Sequence, residues 1–246
     1  MRQPLAGQVA LVTGASRGIG AAIARRLAAE GAAAAVHCRA GRAGADAVVA
    51  AIRAAGGRAE AFEADLTDAA RVPGLFDAVE AGLGRVDILV NNAGVLRPTP
   101  MGAAETAAID LLLAVNVRAP LLLASEFVRR RGGARGGRIV HVGSGAGHRA
   151  FPGHAGYSAA KAALEGMARS MAAELGPRGI TVNTVAPGAT ATDMLTDAIA
   201  ARLVPQTALG RVGRPEDVAA VVAFLASPDG EWITGQVVDA NGGLAL

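Results

Sequence analysis

The feature that most constrains this chain is an alternation. Short, continuously apolar runs recur, each followed by a turn and then by apolar residues at helical spacing. Val9-Ala10-Leu11-Val12 is the first such run. A strand this uniformly apolar is covered on both faces, as in a parallel sheet. Further strands are expected at Ala33 to Cys38, Ala59 to Ala64, Val86 to Val90, Arg138 to Val142, Ile180 to Val185 and Gln236 to Asp239. Helical spacing runs through Ile19, Ile23 and Leu27, with Gly31 as a stop. It returns around Val48 to Ile52 and around Leu75 and Val79. Further helices are expected over Ala104 to Ala114, Leu121 to Arg130, Ala155 to Leu175 and Pro215 to Ala226. Strands alternating with helices specify an α/β fold: a doubly wound parallel sheet in a single domain over residues 1–246.

Composition removes several classes of function. Hydrophobic residues are 52% and charged residues 18%, which excludes a disordered chain. The single cysteine, Cys38, forbids an intrachain disulfide and fits a reducing compartment. The richest apolar run, Leu111 to Ala124, is interrupted by Asn116, Arg118 and Pro120, so no membrane span is expected. Met1-Arg2-Gln3-Pro4 lacks the apolar segment of a signal peptide, and a cytoplasmic location is the expectation. A net charge of +3 raises nucleic-acid binding, but aromatics are only 3% and the arginines are mostly scattered, which argues against it. No metal-ligand spacing appears.

The chain holds one tyrosine, Tyr157, and one lysine, Lys161. Every other strong cation is arginine, so a lysine four residues from the only tyrosine calls for a chemical reason. At i and i+4 on a helix they share a face. A free phenol has a pKa of ~10, and poising it near 7 takes ~4 kcal/mol. A cation ~4 Å away at an effective dielectric of ~20 would supply about that much.

Thr13-Gly14-Ala15-Ser16-Arg17-Gly18-Ile19-Gly20 follows the first strand and opens a helix. Backbone N–H groups and the helix dipole make that place suited to a dinucleotide pyrophosphate. The spacing is Gly-x-x-x-Gly-x-Gly. Asn91-Asn92-Ala93-Gly94, Asn116, Ser144, Tyr157-x-x-x-Lys161 and Pro187-Gly188 follow in order. Together these motifs resemble the short-chain dehydrogenase/reductases over nearly the whole chain, from Gly7 to Gly242-Gly243. The resemblance implies a Rossmann-type domain that interconverts a ketone and a secondary alcohol.

It also implies roles. Tyr157 would exchange a proton with the carbonyl oxygen that Ser144 orients. Lys161 would lower the phenol pKa and hold the nicotinamide ribose, and Asn116 would hold a water of a proton relay. Gly14, Ser16, Arg17, Gly18, Ile19 and Gly20 would carry the pyrophosphate, with Asn92, Ala93 and Gly94 alongside. Asp65 and Leu66 would meet the adenine. Pro187, Gly188 and Thr192 would abut the nicotinamide. Where an NAD-binding relative would have a carboxylate after the second strand, this chain has His37-Cys38-Arg39. Arg39 and Arg17, with Arg42 nearby, could hold a 2′-phosphate, so NADP(H) is expected over NAD(H).

The overall pattern resembles 3-oxoacyl-[acyl-carrier-protein] reductases, with Leu96-Arg97-Pro98 departing from it. Arg129, Arg130, Arg131, Arg135 and Arg138 form a basic cluster that could receive an acidic carrier protein. His148 and His154 could contact a polar substrate group. The substrate wall is expected from three loops, Val95 to Met101, Gly145 to Gly156 and Ala189 to about Leu209, the last a lid bearing Met194, Leu195 and Leu203 above an apolar pocket. The family resemblance implies a homotetramer, and Leu244-Ala245-Leu246 suits burial at an interface. Two alternatives stand beside this expectation. A non-catalytic dinucleotide-binding regulator would be expected to have lost one of Asn116, Ser144, Tyr157 or Lys161. Acting on a free ketone, sugar, steroid or secondary metabolite is the alternative within the enzyme class.

Overall fold

The computed structural model describes residues 3–245. Seven parallel strands form one sheet: β1 (Val9–Val12), β2 (Ala33–Cys38), β3 (Ala59–Glu63), β4 (Ile88–Asn91), β5 (Gly137–Val142), β6 (Ile180–Pro187) and β7 (Val237–Ala240). Their order is β3-β2-β1-β4-β5-β6-β7. The order reverses between β1 and β4, and ligands of such sheets bind outside the strand ends at that point.

The apolar runs are apolar for a visible reason. Ala10 and Val12 of β1 pack into the layer of α1 (Gly18–Ala29), α2 (Ala43–Ala54) and α8 (Pro215–Ala226), while Val9 and Leu11 pack into the opposite layer. That second layer holds α3 (Arg71–Leu83), α5 (Ala119–Arg131) and α6 (Ala155–Leu175). Its largest buried side chains include Phe76 and Phe127. Truncating either to alanine costs about 3–5 kcal/mol.

The expected helices over 104–114 and 121–130 are one continuous helical run. α4 (Thr106–Leu113) passes through a π-helical segment, Ala114–Arg118, directly into α5. Pro120 directly follows the π-helical segment and has no N–H to give the preceding turn, so the regular α-helical bonding is interrupted there. The whole run, Thr106–Arg131, is long and apolar enough by composition to cross a membrane, which the broken apolar stretch did not reveal. Here Leu112, Leu123, Ala124 and Phe127 bury one face in the protein. Leu113 and Leu121 are exposed on the run.

The segment expected to be a lid contains a short helix, α7 (Asp197–Leu203), capped by Thr196, whose hydroxyl accepts from the Ile199 amide at 3.3 Å. Leu244 is buried within this chain, and Thr207 pairs with it in an antiparallel bridge. Ala245 is exposed, and Leu246 lies outside the described residues, as do Met1 and Arg2.

Candidate active site

The glycine turn is held by its neighbours. The Thr13 hydroxyl donates to the Val90 carbonyl at 3.3 Å and accepts from the amides of Asn92 and Ala93, each at 3.0 Å. Asn92 returns the tie: its side-chain NH2 donates to the carbonyls of Thr13 (2.8 Å) and Gly14 (3.0 Å). Gly14 has φ +62°, and a Cβ there would lie 2.9 Å from the Ala93 Cα. A Cβ on Gly20 would overlap the Asn92 amide and the Gly14 carbonyl. Glycine at these two positions is therefore a steric requirement. The Arg17 side chain makes no cap to α1, and the first turn carries no acidic residue. Its N–H groups and positive dipole end open onto the cleft that Ser16, Gly18, Ile19 and Gly94 line. The arrangement fits a dinucleotide pyrophosphate. Asn92 also lines the cleft, with its side chain committed to bracing the turn.

Sequence reasoning missed His37. Its imidazole is buried beneath the turn, bonded to Gly14 on one side and Ala64 on the other. Burial lowers its pKa to about 4, so it is neutral. Beside it, Arg39, Asp65 and Leu66 line the cleft as expected. Asp65 accepts from the Thr67 amide and hydroxyl, which holds its carboxyl below the usual range. Arg17 also lines the cleft and pairs with Asp193 of the lid at 3.1 Å, both side chains being largely exposed. Arg42 does not join the cluster. Its guanidinium donates to the Ala61 carbonyl (2.9 Å) and pairs with Asp46, because α2 turns it toward β3.

Ser144, Tyr157 and Lys161 line one cleft with the glycine turn, a cavity of about 740 Å³. Ser144 follows β5 and accepts from the Ala146 amide at 3.2 Å. Tyr157 and Lys161 are buried on α6. The Lys161 Nζ donates to the Val142 carbonyl at 2.8 Å and stands 5.7 Å from the centre of the Tyr157 ring. Burial lowers the Lys161 pKa to about 8. The expected depression of the Tyr157 pKa is not met in the protein alone: burial raises it, opposed by the hydrogen bond to Ser144. The ammonium does not reach the phenol as a close partner, being directed at the Val142 carbonyl.

Asn116 is buried in the π-helical segment. Its amide closes a double hydrogen bond with Val95, accepting from the N–H and donating to the C=O, both at 2.9 Å. A Cβ on Gly94 would lie 3.1 Å from the Asn116 Oδ1 and 3.4 Å from the Lys161 Nζ. Asn116, Gly94 and Lys161 thus converge. π-Helical turns recur at functional sites, and this one carries the expected asparagine.

The other end of the cleft is walled by Leu96, Phe151, Met194, Leu195, Ile199 and Leu203. Pro187 ends β6, and Pro187, Gly188 and Thr192 line the cleft as expected. The two histidines do not line it. His148 is bridged by Glu165 (2.7 Å) and Asp239 (3.1 Å), whose carboxylates draw it away. His154 is stacked on Phe151 and bonded to the Pro152 carbonyl. Their neighbours Arg149 and Phe151 face the cleft instead. Arg202 of α7 lies over the Phe151 ring at 4.9 Å, joining the lid to the loop that carries Ser144.

Three of the five arginines of the basic cluster have carboxylate partners within the chain. Arg129 and Arg130 both bond Glu126, and Arg130 also pairs with Asp77 and Glu80 of α3. These guanidinium groups hold the Glu126 pKa down to about 2. Arg131 is buried against Asp87. Glu126 lies on the same helix, but Asp77, Glu80 and Asp87 come from distant parts of the chain, so these three arginines read in isolation overstate the charge.

Comparison with known proteins agrees with this geometry. The family described as "Enoyl-(Acyl carrier protein) reductase" matches residues 14–245. A 3-oxoacyl-[acyl-carrier-protein] reductase of Synechocystis is 41% identical over 243 residues, covering 98% of both chains. An NADPH-dependent aldehyde reductase-like chloroplast protein of Arabidopsis thaliana is 40% identical over 256 residues, covering 98% of this chain and 95% of its own. A crystal structure of a Burkholderia cenocepacia short chain dehydrogenase in complex with NADP superposes with a TM-score of 0.93 at 44% identity, covering 98% of each chain. A seven-stranded parallel sheet, a braced glycine turn and a Ser-Tyr-Lys cleft at its carboxyl edge, with likeness over the whole chain, make this protein a member of the short-chain dehydrogenase/reductase family of oxidoreductases.

Proposed function

We propose that the protein is an NADP(H)-dependent reductase that converts a ketone to a secondary alcohol. The observation that carries this reading is the meeting of Ser144, Tyr157 and Lys161 with the glycine turn in one cleft. When bound, the reduced nicotinamide supplies a hydride to the carbonyl carbon. Ser144 donates a hydrogen bond to the carbonyl oxygen and orients it. Tyr157, kept protonated by burial, gives its phenolic proton to the same oxygen. Lys161, 5.7 Å from the ring centre and held by the Val142 carbonyl, offers its positive charge to the phenolate at a distance, and Asn116 holds the Val95 loop through a double hydrogen bond. Arg17 and Arg39 hold the 2′-phosphate at the far end of the cleft.

The wall around Leu96, Phe151 and Met194 suits a ketone with apolar substituents. Because Arg129, Arg130 and Arg131 are paired internally, we favour a free carbonyl compound over a carrier-protein-bound acyl chain. The second reading, a 3-oxoacyl thioester, rests on the 41% identity to the Synechocystis protein. The exposed Leu113 and Leu121 fit the tetramer expected of the family. NADPH oxidation with an acetoacetyl thioester and, in parallel, a panel of free ketones tests both readings. Turnover of free ketones is expected. Turnover of the thioester alone would replace the first reading with the second, and turnover of neither would overturn both.

A further inference from the structure

His37 joins the ends of the three strands on the dinucleotide side. It is 1% exposed, next to the end of β2. Its Nε2 lies 3.0 Å from the Ala64 carbonyl, just past β3. A carbonyl only accepts, so Nε2 carries the proton and Nδ1 is the acceptor. The Gly14 amide, just past β1, donates to that Nδ1 at 3.1 Å. The next amide, Ala15, donates to the His37 carbonyl at 2.8 Å. One residue therefore receives two successive N–H groups of the glycine turn and ties them to the segment that leads into Asp65.

This tie has a consequence for the turn. Gly14 is in the left-handed region, where its amide points back into the sheet and away from the helix N-terminus. With no acceptor beneath it, that buried N–H would be unsatisfied, and the turn would gain by rearranging to find one. Such a rearrangement would move the first-turn amides of α1 relative to Asp65 and Leu66, which line the same groove.

We propose that His37 is a positioning residue for the dinucleotide: as a neutral imidazole accepting from Gly14, it fixes the glycine turn at the distance from the Asp65–Leu66 wall that the cofactor spans. The proposal rests on the dinucleotide reading of the cleft. It does not require His37 to touch the cofactor.

Two substitutions separate this role from simple core filling. His37→Asn keeps an acceptor oxygen near the Nδ1 position but loses volume and the reach to Ala64. His37→Phe keeps the volume but has no acceptor. NADP+ affinity, measured by calorimetry, should fall at least about 10-fold in His37→Phe and stay within about 3-fold of the parent in His37→Asn. The Michaelis constant for NADPH should follow the same order, with kcat at saturating NADPH changing less than that constant. A core-filling role gives the reverse order, and that order, an equal loss in both variants or no loss in either would overturn the proposal. If His37→Phe does not fold, hydrogen exchange of the Gly14 amide in the other variants decides. It should remain slow in His37→Asn and become fast in His37→Ala, and equal rates would overturn the proposal. If the parent protein binds no NADP+, the dinucleotide reading fails instead, and the same exchange measurement, which needs no cofactor, still tests His37.

Discussion

The two ends of the cleft are built differently. At the dinucleotide end, Thr13, Gly14, His37 and Asn92 hold one another through hydrogen bonds that lie largely out of solvent. A methyl group on Gly14 or Gly20 would meet main-chain atoms. At the substrate end, α7 has no buried residue, and the lid is linked to the rest of the site by an exposed Arg17–Asp193 pair and by Arg202 over Phe151. An exposed ion pair of this kind is worth about 0–1 kcal/mol. The first end is fixed by backbone geometry before any ligand arrives, whereas the second can be reshaped by a few side chains. The contrast explains how relatives with about 40% identity can carry names that point to different carbonyl substrates.

The largest effect should come from where the two ends meet. Tyr157→Phe removes the proton donor and leaves the glycine turn untouched. Turnover should fall about 10³-fold, the middle of the range for a general acid, while NADP+ affinity changes less than about 3-fold. Steady-state rates and calorimetry on the same preparation check both numbers. Retained turnover would remove Tyr157 from its role.

Next in size is the response to acid. His37 and His141 are buried and neutral, each with a pKa lowered by burial to about 4. His141 is also disfavoured as a cation by Lys161. An unfolded histidine titrates near 6.5, so between pH 6.5 and 4 the unfolded chain binds more protons than the folded one. The stability these groups confer is complete above pH 6.5 and is lost as pH falls toward 4, by about 3 kcal/mol for each. Urea unfolding at pH 7.5, 6 and 5 should show the decline. Replacing His37 should remove about half of it, and an unchanged slope would show that His37 does not titrate in this way.

Gly20→Ala should weaken NADP+ binding by ~10–100-fold, the equivalent of ~1–3 kcal/mol of overpacking, with the Michaelis constant for the ketone little changed. Arg202→Ala is the converse and the smallest effect. Removing the guanidinium from Phe151 should raise that constant about 3-fold, in line with an exposed cation–π contact, and leave NADP+ affinity unaltered. If both variants moved both constants together, the division of the cleft would be wrong.

The same division governs how much was legible in the sequence. Thr13 to Gly20 could be read because an apolar strand, a fixed glycine spacing and a helix follow one another directly. Tyr157 and Lys161 could be read because a helix converts four residues into one turn. His37 could not, because its partners Gly14 and Ala64 become neighbours only when β2 lies between β1 and β3. The same holds for Arg129, Arg130 and Arg131, whose carboxylate partners beyond Glu126 come from α3 and the approach to β4. Asn116 was expected from the family pattern and fell between two expected helices, because the π-helical segment that turns it toward Val95 leaves no mark in apolar spacing. The loop that carries Phe151 was expected at the substrate wall, but its two histidines, the residues expected to meet substrate, have rings that are held elsewhere.

Hydrogen exchange of the cofactor-free protein tests the central claim most directly. The Gly14, Ala15 and Ala93 amides should exchange at least about 100-fold more slowly than those of Asp197–Leu203, because their hydrogen bonds open only with the sheet. Adding NADP+ should then slow the lid amides far more than those of the turn. Equal protection at the two ends before NADP+ is added would contradict a preformed dinucleotide end beside an adaptable substrate end.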